Sequence, residues 1–298
     1  ITGPVATKLG MNPNKTAGLA AHAGHFGNFA GFTHPTQVAV VATAAIGFGA
    51  INVVGAITGI SIIAFSWYRI VREMRKNPPI ISQDVKDEVA KSLSNKSGIS
   101  FSLAIFPFLL FCIGFVFGIP VFVDGTVCAI LVAILAKMNP SKSETDMING
   151  VKRASIPIVA TISFLFMSGV INKIGLVDVI SNIMAPLVSI SPVYTMLFVS
   201  ALAGFITQSN AASVAIDVPF LQVVLAAGAD PLTAACAAAG GSAVTQYYLT
   251  GGPVAALSTV IPVVKGSNLK DANKFQRPAM LFGLLVLFLL VSLLLVIR

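Results

Sequence analysis

Apolar residues in this chain gather into long runs, and the polar positions between them are few and sharply placed. Runs occur near 12–46, 49–68, 101–119, 121–137, 154–174, 192–208, 213–229, 232–264 and 279–298. A helix needs roughly 20 apolar residues to cross the hydrocarbon core of a bilayer, fewer if it is broken or re-entrant. The pattern therefore predicts an all-α integral membrane protein. Two runs, 12–46 and 232–264, are too long for one plain span and are interrupted by Gly, Pro and polar residues. The pair 192–208 and 213–229 brackets a polar centre, Thr207-Gln208-Ser209-Asn210.

Loop charge sets the orientation. One basic segment holds Arg69, Arg72, Arg75, Lys76, Lys86, Lys91 and Lys96; a second holds Lys137, Lys142, Lys152 and Arg153; a third holds Lys265, Lys270, Lys274 and Arg277. The positive-inside rule makes all three cytoplasmic, so an even number of crossings separates them. The spans 101–119 and 121–137, turning at Gly118-Ile119-Pro120, satisfy this between the first two. Between the second and third, 154–174 goes out and 232–264 returns as one broken span. The stretch 192–229 then enters and leaves from outside. Two full spans would give the same parity, but four consecutive polar residues suit a protein-lined tip at membrane depth better than a solvated loop. The expectation is seven crossings plus one re-entrant hairpin at about 180–229, with residues 174–192 as its outer approach. Residues 77–100 read as a cytoplasmic linker with a short helix at 82–93.

Composition sharpens the class. Of 298 residues, 56% are hydrophobic and 10% charged, with a mean hydropathy of +0.89; a soluble fold of this size needs far more charge to cover its surface. The net charge of +8 sits in loops between apolar runs rather than on one face, which argues against nucleic-acid binding. Cys112, Cys128 and Cys236 lie singly in apolar stretches and read as reduced core thiols. No cofactor and no metal site is expected.

The two broken spans resemble each other. The first runs Gly24-His25-Phe26-Gly27-Asn28-Phe29-Ala30-Gly31-Phe32-Thr33-His34-Pro35, and the second runs from Gly240 through Thr245-Gln246-Tyr247-Tyr248 to Thr250-Gly251-Gly252-Pro253. Each has a small-residue half, a polar centre, a proline, an apolar half and a following span. Their expected directions are opposite, as in the inverted repeats of secondary transporters. On this reading 1–76 is the C-terminal part of a first repeat, 77–100 the linker and 101–298 the second repeat. The first repeat then lacks its hairpin, which is expected upstream of Ile1.

These residues resemble known transporters. The run from Ala21-His22 to His34-Pro35-Thr36-Gln37-Val38-Ala39 is similar to a His-Pro region of the gluconate:proton symporter (GntP-type) family. Gln208-Ser209-Asn210-Ala211-Ala212 looks like the Ser-Asn-Thr hairpin motif of dicarboxylate and citrate carriers in the wider ion transporter superfamily. Thr250-Gly251-Gly252-Pro253 falls where those carriers have a Thr-Pro break. The motifs cover about forty residues, and two depart from the gluconate type: Thr36 replaces a Gly, and Ser209-Asn210 replaces a Gly-Ser pattern. The resemblance implies alternating-access symport of a small organic anion with H⁺ or Na⁺ in the inner membrane, with a homodimer compatible; the anion itself is not specified.

The chemistry of broken helices agrees. Freed backbone amides and helix N-termini suit an anion, and C-terminal carbonyls suit Na⁺. The spans hold little basic charge, Lys173 lying at an end, and an Arg pair in the bilayer would cost several kcal/mol. The candidate substrate residues are therefore Gln208, Ser209, Asn210, Ser213 and Thr250, with Thr33, Thr36, Gly251 and Gly252 at the breaks. Interhelical hydrogen bonding is the alternative role for Ser209 and Asn210. Asp217, in the apolar stretch Ala212–Phe220, and His34, beside Pro35, are candidates for proton or cation coupling. Asp124 is expected at the interface, and Tyr247 and Tyr248 are expected to pack. Rival functions are a cation/proton antiporter of the same superfamily and, more remotely, an intramembrane enzyme or a channel; no catalytic motif is present.

Overall fold

The computed structural model describes residues 2–32, 34–94, 100–247 and 251–298, and every regular element among the described residues is a helix. They are α1 (Thr2–Lys8), α2 (Pro13–Ala30), α3 (Pro35–Thr43), α4 (Ala50–Lys76), α5 (Gln83–Ser94), α6 (Phe101–Val116), α7 (Val121–Leu135), α8 (Pro140–Lys173), α9 (Leu176–Ile190), α10 (Pro192–Thr207), α11 (Asn210–Ala226), α12 (Pro231–Thr245), α13 (Gly251–Val260) and α14 (Leu269–Ile297). Packing divides the chain into one unit of residues 1–85 with 161–298 and another of 86–160. The larger unit thus joins segments from both sides of the linker expected at 77–100.

Its two broken helices start alike. The Asn12 side chain accepts from the Asn14 and Lys15 amides, at 3.0 and 3.3 Å, with Pro13 at the first helical position. The Asp230 carboxylate accepts from the Thr233 amide at 2.9 Å, followed by Pro231. Such caps satisfy amides that the first turn leaves orphaned, and proline there gives up a donor that had no partner. Each helix then breaks, resumes as a short helix and turns into a long one: α2–α3–α4 and α12–α13–α14.

Contacts at helix ends fix the directions. Lys15 pairs with Glu73, and the Asn268 amide donates to Asn14 Oδ1 at 2.7 Å. The start of α2, the end of α4 and the start of α14 therefore lie together. Arg298 pairs with Asp230 at 3.2 Å, and the Tyr194 hydroxyl donates to Ser292 Oγ at 2.9 Å. The end of α14 thus meets the starts of α12 and α10. It follows that α2 and α12 run in opposite directions, and that the α10–α11 hairpin opens at the α14 C-terminal end.

Helices α2, α4, α12 and α14 pack on one another, and α10 and α11 pack on α12. Close approach is built from small residues. At Gly55 on α4, an added Cβ would lie 2.5 Å from the Phe29 carbonyl carbon, so the backbones touch directly. Helices α4 and α14 are long and apolar enough to cross a membrane. On α14 the inner face, Met280, Leu287 and Val291, is buried; the outer face, Leu285, Leu289, Leu293 and Val296, is equally apolar yet exposed. A helix apolar all round belongs in a protein interior or in lipid.

Several boundaries depart from the sequence expectation for local reasons. The basic segment at 137–153 is largely helix, because Asn139 Oδ1 accepts from the Lys142 amide at 2.8 Å and caps α8 before Pro140 starts it. Arg69, Arg72, Arg75 and Lys76 likewise continue α4 until Asn77-Pro78-Pro79 stops it. The helix expected at 82–93 appears as α5, and the approach at 174–192 forms α9.

In the smaller unit, α6 and α7 turn at Gly118, whose φ of 76° favours glycine. Asp124, expected at the interface, is buried. Gly114 on α6 has no side chain, and the Asp124 carboxyl occupies that space; a Cβ there would come within 2.6 Å of its Cγ. The Cys128 thiol donates to Asp124 Oδ1 at 3.7 Å, and Oδ2 has no hydrogen-bond partner among the described residues. Cys128 and Cys236 are buried free thiols, while Cys112 is half-buried.

Candidate functional site at three helix breaks

A helix end leaves its last carbonyls without intrahelical partners. At the end of α2 those of Asn28, Phe29 and Ala30 are each taken by a side-chain amide. Asn210 Nδ2 donates to Asn28 O at 3.3 Å, Gln37 Nε2 donates to Phe29 O, and Asn52 Nδ2 donates to Ala30 O at 2.9 Å. Each amide comes from a different helix, so α11, α3 and α4 converge on this break.

The hairpin tip is as tight as its sequence suggests. Gln208 has φ 52°, the left-handed conformation, and Ser209 caps α11 by accepting from the Ala212 amide at 3.3 Å. Only these two residues separate α10 from α11. A third break follows α12, where Gln246 ends the helix and α13 resumes with Gly251 and Gly252.

Asn210 joins all three. Its amide N–H donates to Gln246 Oε1 at 3.0 Å, and its carbonyl accepts from Thr36 Oγ1 and Ser213 Oγ, each at 2.8 Å. Its Oδ1 accepts from Ser242 Oγ at 2.8 Å, and its Nδ2 also lies 3.4 Å from His34 Nδ1. Every hydrogen-bonding group of this buried residue is engaged. His34 caps α3 by accepting the Thr36 amide on Nδ1 at 3.3 Å, so a proton for transfer would have to sit on Nε2. The positive ends of α3 and α11 thus meet at the tip. Among the described residues, the side chains that bind Asn210 are one amide, three hydroxyls and one imidazole, with no Lys or Arg.

Small residues let α10 reach α12. An added Cβ at Gly204 would lie 2.5 Å from Ser242 Cα and 2.6 Å from Ser242 O, both backbone atoms that cannot step aside. Ser200 Oγ donates to Ala238 O and accepts from the Ser242 amide at 2.9 Å. Asp217, one helical turn after Ser213, is wholly buried, and among the described residues neither of its carboxyl oxygens has a partner at hydrogen-bond geometry.

The predicted residues therefore sort by place. Asn210, Ser209, Gln208, Ser213, Thr36 and His34 come together, whereas Thr33 and Thr250 lie outside the described residues. Gly251 and Gly252 begin α13. Thr36 and Ser213 direct their protons to the Asn210 carbonyl, and Gln208 directs its amide to Phe205 O, so all three brace the tip. Tyr247 packs against the core, and Tyr248 lies outside the described residues. Sequence reasoning missed Asn28, Gln37, Asn52, Ser200, Ser242 and Gln246. Their signal was present as isolated polar residues in apolar helices, but nothing in the sequence said which would meet. No protein-family model matches this chain, and no curated protein or solved structure matches it either.

Proposed function

We propose that the protein is a multi-pass membrane transporter that carries a small organic anion together with H⁺ or Na⁺ by alternating access. The observation that carries this reading is the convergence of three helix breaks on Asn210 within a helical bundle that exposes apolar side chains. Unpaired backbone at membrane depth persists only where protein or a cavity satisfies it, and here three side-chain amides do so at one break alone. Opposed α2 and α12 support an inverted repeat. Helix α2, with 18 residues, and α12, with 15, reach their breaks from opposite ends of the bundle after about 27 and about 23 Å, at about 1.5 Å of rise per residue. Helix α10, with 16 residues, extends about 24 Å against a hydrocarbon core of about 30 Å, which supports a re-entrant hairpin. End pairings also agree with the loop-charge orientation: Lys15–Glu73 and Asn14–Asn268 join ends assigned inside, and Asp230–Arg298 joins ends assigned outside.

The anion would be held by the α3 and α11 N-termini and the Ser209 hydroxyl, with Asn210 holding the tip in shape beneath it and the inner membrane as the expected location. Buried Asp217 favours a second reading, cation/proton antiport, in which no anion binds at the tip. Uptake of labelled mono- and dicarboxylates by proteoliposomes under imposed H⁺ and Na⁺ gradients separates the two. Concentrative uptake of one acid is expected; cation exchange without uptake of any acid would favour the antiporter.

A further inference from the structure

Two turns from the hairpin tip, α10, α11 and α12 enclose Asp217. Its side chain is fully buried, and among the described residues neither carboxyl oxygen has a partner at hydrogen-bond geometry. Ser213 on the same helix, Ser242 on α12 and Ser200 on α10 set their hydroxyl groups against it. Each of these protons is committed elsewhere. Ser200 Oγ donates to Ala238 O, Ser213 Oγ to Asn210 O at 2.8 Å, and Ser242 Oγ to Asn210 Oδ1 at 2.8 Å. With the protons so placed, the three hydroxyls present oxygen lone pairs to the carboxyl group, and turning a proton to it would take that proton from Asn210 or from the Ala238 carbonyl.

A bare carboxylate in such a setting is strongly disfavoured. A proton on one oxygen would relieve only one of the two orphans. A small hard cation relieves both, because it coordinates carboxylate and hydroxyl oxygens together. One carboxylate among neutral hydroxyls balances a single positive charge, which selects a monovalent ion over Mg²⁺ or Ca²⁺. We propose that Asp217 binds Na⁺ together with the hydroxyl oxygens of Ser200, Ser213 and Ser242.

This deepens the transport reading, on which the ion's coupling role rests; the binding itself does not depend on it. Bound Na⁺ holds the serine lone pairs, which keeps the Ser213 and Ser242 protons on Asn210. Asn210 Oδ1 then stays on Ser242 and Nδ2 stays toward Asn28 and His34. Occupancy of the cage thus fixes the amide at the tip where the three breaks meet.

The test is thermal unfolding of the purified full-length protein in nanodiscs of neutral lipid. NaCl is compared with KCl and choline chloride at constant ionic strength, at pH 6 and pH 8. Na⁺ is expected to raise Tm saturably, by about 5 °C at saturation. Asp217→Asn should abolish the response, and Ser213→Ala with Ser242→Ala should weaken the apparent Na⁺ affinity at least about tenfold. Should Asp217→Asn not fold, binding of ²²Na⁺ to wild type and to Ser242→Ala provides the same comparison. A wild type indifferent to Na⁺ at both pH values overturns the proposal, as does a response unchanged in Asp217→Asn. A Tm that follows pH but not Na⁺, and loses that dependence in Asp217→Asn, assigns the carboxyl to a proton and also overturns it. Proton-driven carboxylate uptake without Na⁺ binding would remove the site and leave the transporter; Na⁺ binding without uptake of any acid would do the reverse.

Discussion

Replacing Asn210 by Ala removes three side-chain contacts and no backbone ones. The bond from the Asn210 amide to Gln246 and those to its carbonyl from Thr36 and Ser213 remain, so the tip should keep its shape. What is lost is the donor to Asn28 O, the contact with His34 and the acceptor for Ser242. An orphaned buried polar group costs about 1–3 kcal/mol. Asn28 O loses its side-chain donor, whereas the Ser242 proton can rotate toward Asp217. The expected destabilisation is therefore about 2 kcal/mol, roughly 4–8 °C in Tm at about 2–4 °C per kcal/mol. Asn210→Asp should be worse, because it sets a carboxylate oxygen against the Asn28 carbonyl. The assay is unfolding in nanodiscs alongside carboxylate uptake, and both variants should fold yet fail to transport. An Asn210→Asp protein as stable as wild type, with normal uptake, would refute both the network and its role.

Gly204→Ala drives a Cβ into the Ser242 backbone, so α10 must part from α12 at a cost of about 1–3 kcal/mol; cysteine cross-linking of the hairpin to α12 should slow accordingly, and an unchanged rate would contradict the close packing. Burial by itself would raise the Asp230 carboxyl, but the Thr233 hydroxyl and amide and the Arg298 guanidinium outweigh it and hold it below the usual carboxylate range. A lowered folded value contributes stability above pH of about 4 that is lost as pH falls through that value. The stability difference between wild type and Asp230→Asn should therefore shrink toward zero in acid, remaining under about 1 kcal/mol throughout because the pair is exposed; a gap that widens in acid would contradict the assignment.

The helical class, the two breaks and the hairpin tip were legible in the sequence because each is a local matter. Continuous apolar runs select helices, while Pro35, the Gly-Gly-Pro at 251–253 and the polar run at 207–210 interrupt them through backbone chemistry that operates within a few residues. Helix ends at Asn139-Pro140 and Asn77-Pro78 were equally local, yet the charge of the flanking segments pointed to loops; capping and proline placement decided against it. The role of Asn210 as a hub was not legible. Its partners Asn28, Thr36, Ser242 and Gln246 lie far from it along the chain, and a lone polar residue in an apolar helix looks the same whether it binds a ligand or a neighbouring carbonyl. For Asp217 the sequence established only that an acid lies among apolar residues. Whether it meets donors, a counter-charge or lone pairs depends on how the hydroxyl protons of Ser200, Ser213 and Ser242 are shared with carbonyls on other helices. Tertiary packing alone decides that, since each hydroxyl has one proton and packing determines which acceptor is near enough to take it.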